Sequence, residues 1–381
     1  MGRPQLLNGS ALVVGLGLNG LGVVRSLAAA GIRVHAFDDT MGPYTATRHG
    51  TKARAPLAGE GLVEALAAYR ARLDHDPVLL LTREDSVATV AANRDRIAGY
   101  RIAMPDRDVV EAMVNKDRFM PIAARAGLSV PRTVTLRSAD DLALLDTLTP
   151  PLIVKPSEHV AAYQARFKKA YVFDSAADAA PMIPDMLAAA GELVAQEYVP
   201  GDDGSVFFCL GYFGAESDML AAYTGYKTAS WPPRVGGTAG CAPAPEAHAR
   251  LAADTQAFFA AARFQGMGSL EFKRHAITGA FIMIEPTACR TDYQSELATL
   301  NGVNLPAVQF ADQMRLPLPD AQPKHRLGWR DPGAVASGAV VPKSGSGWRA
   351  VDALWRADDP GPWFSVGGNR IARKLGLAGR R

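Results

Sequence analysis

The sequence predicts an α/β unit, then an α+β unit, then a short C-terminal extension, and three observations carry that prediction. Strand and helix patterns alternate over roughly the first hundred residues, which implies βαβ units around a parallel sheet. From about residue 127 several strands follow one another with no helix between them, which implies an antiparallel or mixed sheet. After about Leu316 the chain turns rich in Pro, Gly, Arg and Trp (PLPDAQPKHRLGWRDPG), a composition suited to a tail that wraps over the body. The length of 381 residues fits two or three domains. The expected boundaries are 1–105 for an N-terminal domain, 106–316 for a central domain and 317–381 for the extension. Within the central domain a linker and helix cover 106–126, and two α+β subdomains span about 127–192 and 193–316.

In order, Ser10–Val14 is a short apolar strand, Leu21–Ala30 an apolar-faced helix closed by Gly31, and Ile32–Phe37 a second strand. Leu62–Leu73 reads as a helix and PVLLL at Pro77–Leu81 as a buried strand. A helix over Asp85–Ile97 and a short strand at Arg101–Met104 follow, and the connection Pro105–Asn115 leads into a helix at Lys116–Ala126. Strand patterns then fall at Leu152–Lys155, Ala170–Phe173, Leu193–Tyr198, Ser205–Tyr212, Leu220–Tyr226, Gly268–Phe272 and Phe281–Glu285. Helices are expected between them at Ala139–Asp146, Ala176–Ala190 and Glu246–Arg263. No internal repeat interrupts this order.

Composition narrows the function classes. Hydrophobic residues make up 48% and charged residues 21%, which provides material for several cores and argues against a disordered chain. The formal net charge of +3 is too small to announce a nucleic-acid partner, which would need basic stripes interleaved with aromatics. No apolar run approaches the roughly 20 residues that span a bilayer, and the N-terminus has no long apolar core of the kind a signal peptide carries. Cys209, Cys241 and Cys289 are an odd, scattered set without a CxxC pair, so no disulfide framework or structural zinc site is expected. The expectation is a soluble, cytoplasmic protein with reduced thiols, no membrane contact and no nucleic-acid contact.

Gly15-Leu-Gly17-Leu-Asn-Gly20 follows a strand and opens a helix, with Asp38 and Asp39 after the second strand. A glycine turn of this kind aims helix N–H groups at a pyrophosphate, so an NAD-dependent oxidoreductase is one reading. The alternative is that the first βα turn needs small residues for close helix–strand packing. The packing alternative is favoured, because nothing downstream resembles a hydride-transfer site.

The second region carries lysines and acids in an order suited to phosphate chemistry. Lys116 opens a helix (VNKDRF) and Lys155 ends an apolar strand (PLIVKP), where each can bring positive charge onto a triphosphate. Lys168 and Lys169 precede the next strand and offer a further cationic grip. Gln196-Glu197-Tyr198-Val199 ends another apolar strand, and Asp202 and Asp203 follow it. Such an edge offers backbone groups to adenine and a carboxylate to a ribose. Glu271 (SLEFK) and Glu285 (IMIEP) lie on successive strands joined by a short turn. Antiparallel pairing would bring the two carboxylates together, and a hard divalent cation with oxygen ligands would relieve their repulsion.

These anchors, NKDRF, IVKP, QEYVPGDD, LEFK and IEPTACRTDYQSELATLNGVNLP, resemble the carboxylate–amine ligase branch of the ATP-grasp superfamily over about Val114–Pro306. The resemblance implies an ATP-grasp fold preceded by a Rossmann-like (pre-ATP-grasp) domain that shapes the acceptor-substrate site. It implies that Lys116 and Lys155 hold ATP phosphates, that Gln196–Val199 frame adenine through the backbone, and that Asp203, with Asp202 as the alternative, holds the ribose. Glu271 and Glu285 would be magnesium ligands, with manganese as the other candidate ion. Two positions depart from the pattern. Thr287 stands where the family has a metal-binding Asn, so its hydroxyl would ligate directly or through water. The loop after Lys155 lacks glycine, so Lys168, Lys169 or Arg166 would substitute side-chain charge for bare backbone.

Arg290, Asp292 and Gln294 continue the polar run beyond Glu285. Arg290 is read as the partner of a substrate carboxylate or of the transferred phosphate, a structural ion pair being the alternative. Lys227 and Arg234 precede a Gly-Gly turn and could close on the γ-phosphate, a solvated loop being the alternative. His275 is read as a solvated turn residue, and Cys289 as a small packing residue. The activity expected is ATP-dependent amide formation between a small-molecule carboxylate and an amine, through an acyl-phosphate, with ADP and phosphate released. Other ATP-grasp chemistry (carboxylation or carboxylate phosphorylation) and a non-catalytic ATP-binding scaffold are the alternatives. A homodimer is the assembly that the resemblance suggests.

Overall fold

The computed structural model describes residues 9–157, 160–234 and 236–374. Its first sheet contains β1 (Ser10–Val14), β2 (Arg33–Asp38), β3 (Thr51–Arg54) and β4 (Val78–Leu81), parallel throughout and ordered β3-β2-β1-β4. SALVV and VLLL are buried along their whole length, as strands covered on both faces must be. Helix α1 (Leu18–Ala29) connects β1 to β2, a 3-10 turn at Pro43–Ala46 lies between β2 and β3, α2 (Gly59–Arg70) connects β3 to β4, and α3 (Glu84–Ala92) follows β4. Strand β3 (TKAR) has no apolar run and none of its residues is buried, so no pattern announces it.

Two expectations near the end of this unit are corrected. In place of a strand over Arg101–Met104 there is one bridge, Arg101 to Val78. Side chains, not a neighbouring strand, take the Met104 carbonyl: Arg94 Nη1 at 3.1 Å and Gln265 Nε2 at 2.8 Å. The connection Pro105–Asn115 is itself mostly helical, forming α4 (Arg107–Val114), and Asn115 then caps α5 (Lys116–Arg125) by accepting from the Arg118 amide.

The second sheet is antiparallel and ordered β5-β8-β6-β7, from β5 (Thr133–Leu136), β6 (Leu152–Pro156), β7 (Tyr171–Phe173) and β8 (Leu193–Glu197). The helix expected over Ala176–Ala190 is broken into Ala176–Ala179 and Ile183–Ala190, because Pro184 fits only the first turn of a helix. The segment Ala139–Thr147 is 3-10 rather than α-helical.

The third sheet has eight strands in the order β13-β12-β9-β10-β11-β14-β16-β15. They are β9 (Val206–Phe213), β10 (Met219–Trp231), β11 (Gly237–Pro243), β12 (Gly266–Arg274), β13 (Phe281–Ala288), β14 (Leu327–Arg330), β15 (Ser344–Gly345) and β16 (Trp348–Asp352). Alternation along β9 serves two cores. Phe207, Cys209 and Phe213 pack with Leu251, Phe258 and Phe259 of the helix Pro245–Ala261. Phe208, Leu210 and Tyr212 pack with Leu297, Leu305 and Val308.

Where the sequence predicts a covering tail, the chain beyond Leu316 instead lengthens this sheet: β14 pairs with β11, and β16 lies parallel to β14. The tail is also tied to the first unit. Arg25 of α1, buried, donates to Asp359 Oδ2 at 2.9 Å and to the carbonyls of Ala353 and Leu354 at 2.8 and 2.9 Å. Among the described residues no helix is long and apolar enough to cross a membrane. All three cysteines are buried and unbonded.

Candidate active site

A cavity of about 420 Å³ opens where the second sheet faces the β12–β13 edge of the third and the loops of the first reach over both. Its floor follows from strand periodicity. Ser269, Glu271 and Lys273 of β12 alternate onto one face, as do Glu285 and Thr287 of β13. The antiparallel register sets Glu271 opposite Glu285 and Ser269 opposite Thr287. A register shift falls directly after Glu271, between the Glu271–Glu285 and Phe272–Met283 pairs, and such a bulge re-aims the side chains beside it.

Each glutamate meets a lysine from another strand. Lys227 Nζ of β10 lies 2.6 Å from Glu271, and Lys155 Nζ of β6 lies 3.4 Å from Glu285. Lys227 is only 8% exposed; burial disfavours its charge, but Glu271 more than compensates and raises its pKa. Glu285 leaves 45% of its side-chain surface open to the cavity, yet sits deep within a ring of cations. The charge of Lys155, aided by Lys169, Lys116 and Lys227, outweighs desolvation and holds its carboxyl down to about 2.

Lys116 does not line this cavity. It is buried behind the β8 strand, donating to Gln196 Oε1 at 2.8 Å, and Gln196 in turn donates to Thr133 Oγ1 at 2.8 Å. Burial, with the nearby Lys155 charge, lowers the Lys116 pKa to about 7, while Glu285 opposes the shift.

Of the other anticipated residues, the structure brings Lys169, Gln196, Glu197, Val199, Arg234, Thr287 and Arg290 to the cavity wall. Three are elsewhere. Lys168 is exposed, with its Nζ 5.9 Å from the Tyr171 ring centroid. Asp202 is exposed and accepts from Ser205 Oγ at 3.1 Å. Asp203 accepts from the amides of Ser230 and Arg234 at 2.8 and 3.0 Å, so both its oxygens brace the β10–β11 loop.

Arg290 is held as an ion pair, the alternative its sequence context left open. It contacts Asp292 and, at 2.8 Å, Glu84 of α3, and these two carboxylates outweigh desolvation to raise its pKa.

Other side chains complete the wall. Lys273 lies 4.1 Å from the Tyr198 ring centroid, a cation–π contact that fixes it beside the β8 edge. Pro131, Ile153, Val199, Val206 and Ile284 give the same end of the cavity an apolar slot. Asn19 and Thr82 arrive from the first unit. Asn19 donates to the Thr82 and Thr291 carbonyls at 3.1 and 2.6 Å and accepts from Thr291 Oγ1 at 3.0 Å. A signal for Asn19 was present in the glycine turn, but only tertiary structure pairs it with a loop far along the chain.

That turn is explained by packing. A Cβ at Gly20 would lie 1.9 Å from the Gly15 carbonyl oxygen, so α1 could not approach β1 with any larger residue. Asp38 Oδ1 accepts from the amides of Thr40 and Met41 at 2.9 and 2.6 Å, bracing its own turn.

Among the described residues no three His, Cys, Asp or Glu side chains converge as a metal cage. Glu271 and Glu285 do offer hard oxygen donors at opposed positions, each balanced by a lysine. That donor set suits a magnesium ion completed by phosphate oxygens.

No protein-family model matches the chain, and no curated protein does. Solved structures do. An N5-carboxyaminoimidazole ribonucleotide synthetase in complex with ADP superposes with a TM-score of 0.66 at 14% identity, over 85% of this chain and 81% of the other. A biotin carboxylase from Campylobacter jejuni gives 0.66 at 14% identity, over 84% and 74%. An L-amino acid ligase from Bacillus licheniformis gives 0.62 at 14% identity, over 83% and 78%. The chain therefore has the ATP-grasp fold that its motifs resemble.

Proposed function

We propose that this protein is an ATP-dependent carboxylate–amine ligase that forms an amide bond through an acyl-phosphate. The observation that carries the reading is the Glu271–Glu285 pair, set opposite one another in a cavity rimmed by Lys155, Lys169, Lys227 and Lys273. In this reading the adenine occupies the apolar slot beside the Gln196–Val199 backbone, with Lys273 at its edge. Lys155 and Lys169 meet the phosphates, and Lys116 supports them from behind β8. Lys227 and Arg234 stand where the γ-phosphate would be. Asp203 serves the ribose end indirectly, by fixing the loop that carries Ser230 and Arg234.

Glu271 and Glu285, with Thr287 beside them, would hold magnesium, which would supply charge neutralisation to the phosphates. The protein's own contribution is positioning and electrostatics. Cationic side chains align the γ-phosphate with a substrate carboxylate. Arg290, released from Glu84, steadies the carboxylate and then the oxyanion that forms when the amine attacks. The first unit is read as the Rossmann-like domain that shapes the acceptor site, since Asn19, Thr82 and Glu84 reach the cavity from it.

Carboxylation is the second reading, because an N5-carboxyaminoimidazole ribonucleotide synthetase and a biotin carboxylase are among the structures this chain resembles. Product analysis with ATP and magnesium separates the two: ADP release that requires a carboxylate and an amine supports the ligase, and ADP release that requires bicarbonate supports the carboxylase. Glu285→Gln is the control. It should fold normally and lose ADP formation by several orders of magnitude; wild-type ADP formation by this variant would sink both readings.

A further inference from the structure

Behind β13 lies a second chamber of about 150 Å³, lined by Val87, Ala88 and Ala91 of α3, Val110 and Val114 of α4, and Pro286. Its volume is that of a space able to take a benzene-sized group, although here charged side chains share the wall and the exposed Ala88 and Val114 leave it open to solvent. Val114 is 61% exposed, although its neighbour Met113 is buried, so an apolar side chain stands uncovered at the chamber. The only charged groups facing it are two ion pairs, Arg107–Glu111 at 2.6 Å and Arg290–Glu84 at 2.8 Å, among the described residues.

Glu84, Thr287 and Arg290 line both this chamber and the main cavity, so they form the partition between the two. The partition is weakly held on one side. Glu84 is 67% exposed, and an ion pair to so exposed a carboxylate is worth little, so an incoming carboxylate can take its place on Arg290.

Resting on the ligase reading above, we propose that this chamber receives the apolar side group of the carboxylate substrate while Arg290 receives its carboxylate. The substrate class is then a small carboxylate bearing an aliphatic or aromatic group of up to benzene size. With its head at Arg290 and Thr287, such a molecule would present its carboxylate next to Glu285, two residues along the same strand face.

The test is calorimetric titration of the full-length protein with phenylpropanoate and with acetate, in wild type, Ala88→Leu and Val114→Asp. Ala88 and Val114 are both exposed on helices, so neither substitution threatens the fold. Wild type should bind phenylpropanoate about 100-fold more tightly than acetate, from the burial of several carbons. Ala88→Leu, which fills the chamber, and Val114→Asp, which makes its wall polar, should each cut that preference at least about tenfold. Equal affinities in wild type, or a preference unchanged in both variants, would overturn the proposal. ADP release is read separately: loss of amine-dependent turnover in wild type would defeat the ligase reading while leaving the binding preference to judge the chamber.

Discussion

The Lys227–Glu271 pair allows structure and activity to be separated in one experiment. Lys227 is 8% exposed and Glu271 25% exposed, with 2.6 Å between their charged atoms. Glu271→Gln keeps the shape and removes the charge, leaving an ammonium whose burial then acts against it with only the more distant Glu285 and Asp292 in opposition. Breaking a buried pair by removing one partner costs about 3–5 kcal/mol. The partial exposure of Glu271 and the remaining acids reduce this to about 2–3 kcal/mol. Lys227→Met should cost a similar amount, since it strands Glu271. The double variant removes both charges, so its loss should fall short of the sum by about 1–3 kcal/mol. Activity should behave differently. On the proposed function, each single variant and the double variant should lose at least about a hundredfold in ADP release, because cancelling the stability defect restores neither the carboxylate nor the lysine to the proposed phosphate site. Denaturant unfolding followed by fluorescence, alongside a coupled ADP assay, measures both. Additive stability losses, or single variants within about 0.5 kcal/mol of wild type, would refute the claim that the two charges depend on each other.

The Lys116 pKa of about 7 gives a pH prediction with a definite sign. Between that value and its ordinary value near 10.5 the unfolded chain holds a proton that the folded chain lacks, so this group makes stability rise with pH across that window and contributes no pH dependence below it. Anionic ATP should restore the charge, so titration at pH 8 in buffers of different ionisation enthalpy should show proton uptake on ATP binding, absent in Lys116→Met; equal uptake in both would exclude Lys116 as the source. Arg25→Met strands Asp359 in the interior and should cost about 3–5 kcal/mol, read as a lowered unfolding midpoint and earlier proteolysis beyond Leu354. Wild-type stability in that variant would mean that the tail is held by other contacts.

The paired glutamates and the strand-end lysine were legible because their signals are local: a carboxylate at a known place in an apolar strand, with a short turn fixing the pairing. The alternating unit was legible for the same reason, through SALVV and PVLLL. What escaped lacks local contrast. TKAR becomes a strand only because β2 offers it an edge, and α4 hides its three buried apolar residues among charged ones. The tail's strands are short and surrounded by Pro and Gly, so their pairing with β11 depends on the sheet that already exists. The residues around Asp203 illustrate a different limit. A carboxylate after an apolar strand is the same text whether it faces a sugar or two backbone amides, and only the position of the β10–β11 loop decides between them.

The site depends on parts of the chain that carry none of its chemistry. Arg290 follows β13, but the neighbouring Thr291 is held by Asn19 from the glycine turn, and its amide donates to the Leu81 carbonyl at the end of β4 at 3.3 Å. That turn begins α1, whose Arg25 is locked to Asp359 and to the carbonyls of the tail. Glu296, just beyond the same loop, accepts from Trp329 Nε1 of β14 and from Arg356, at 2.9 and 2.7 Å. The loop carrying Arg290 is thus anchored on one side by the parallel unit and on the other by the C-terminal strands. On the ligase reading, in which catalysis is mainly positioning, these anchors are as exposed to mutation as the lysines. Asn19→Ala would remove two hydrogen bonds to that loop, both at Thr291, and one to the Thr82 carbonyl, without touching a phosphate site, and it should lower kcat/KM for the carboxylate while leaving ATP affinity unchanged. An equal loss for ATP would mean that the turn acts on the nucleotide directly.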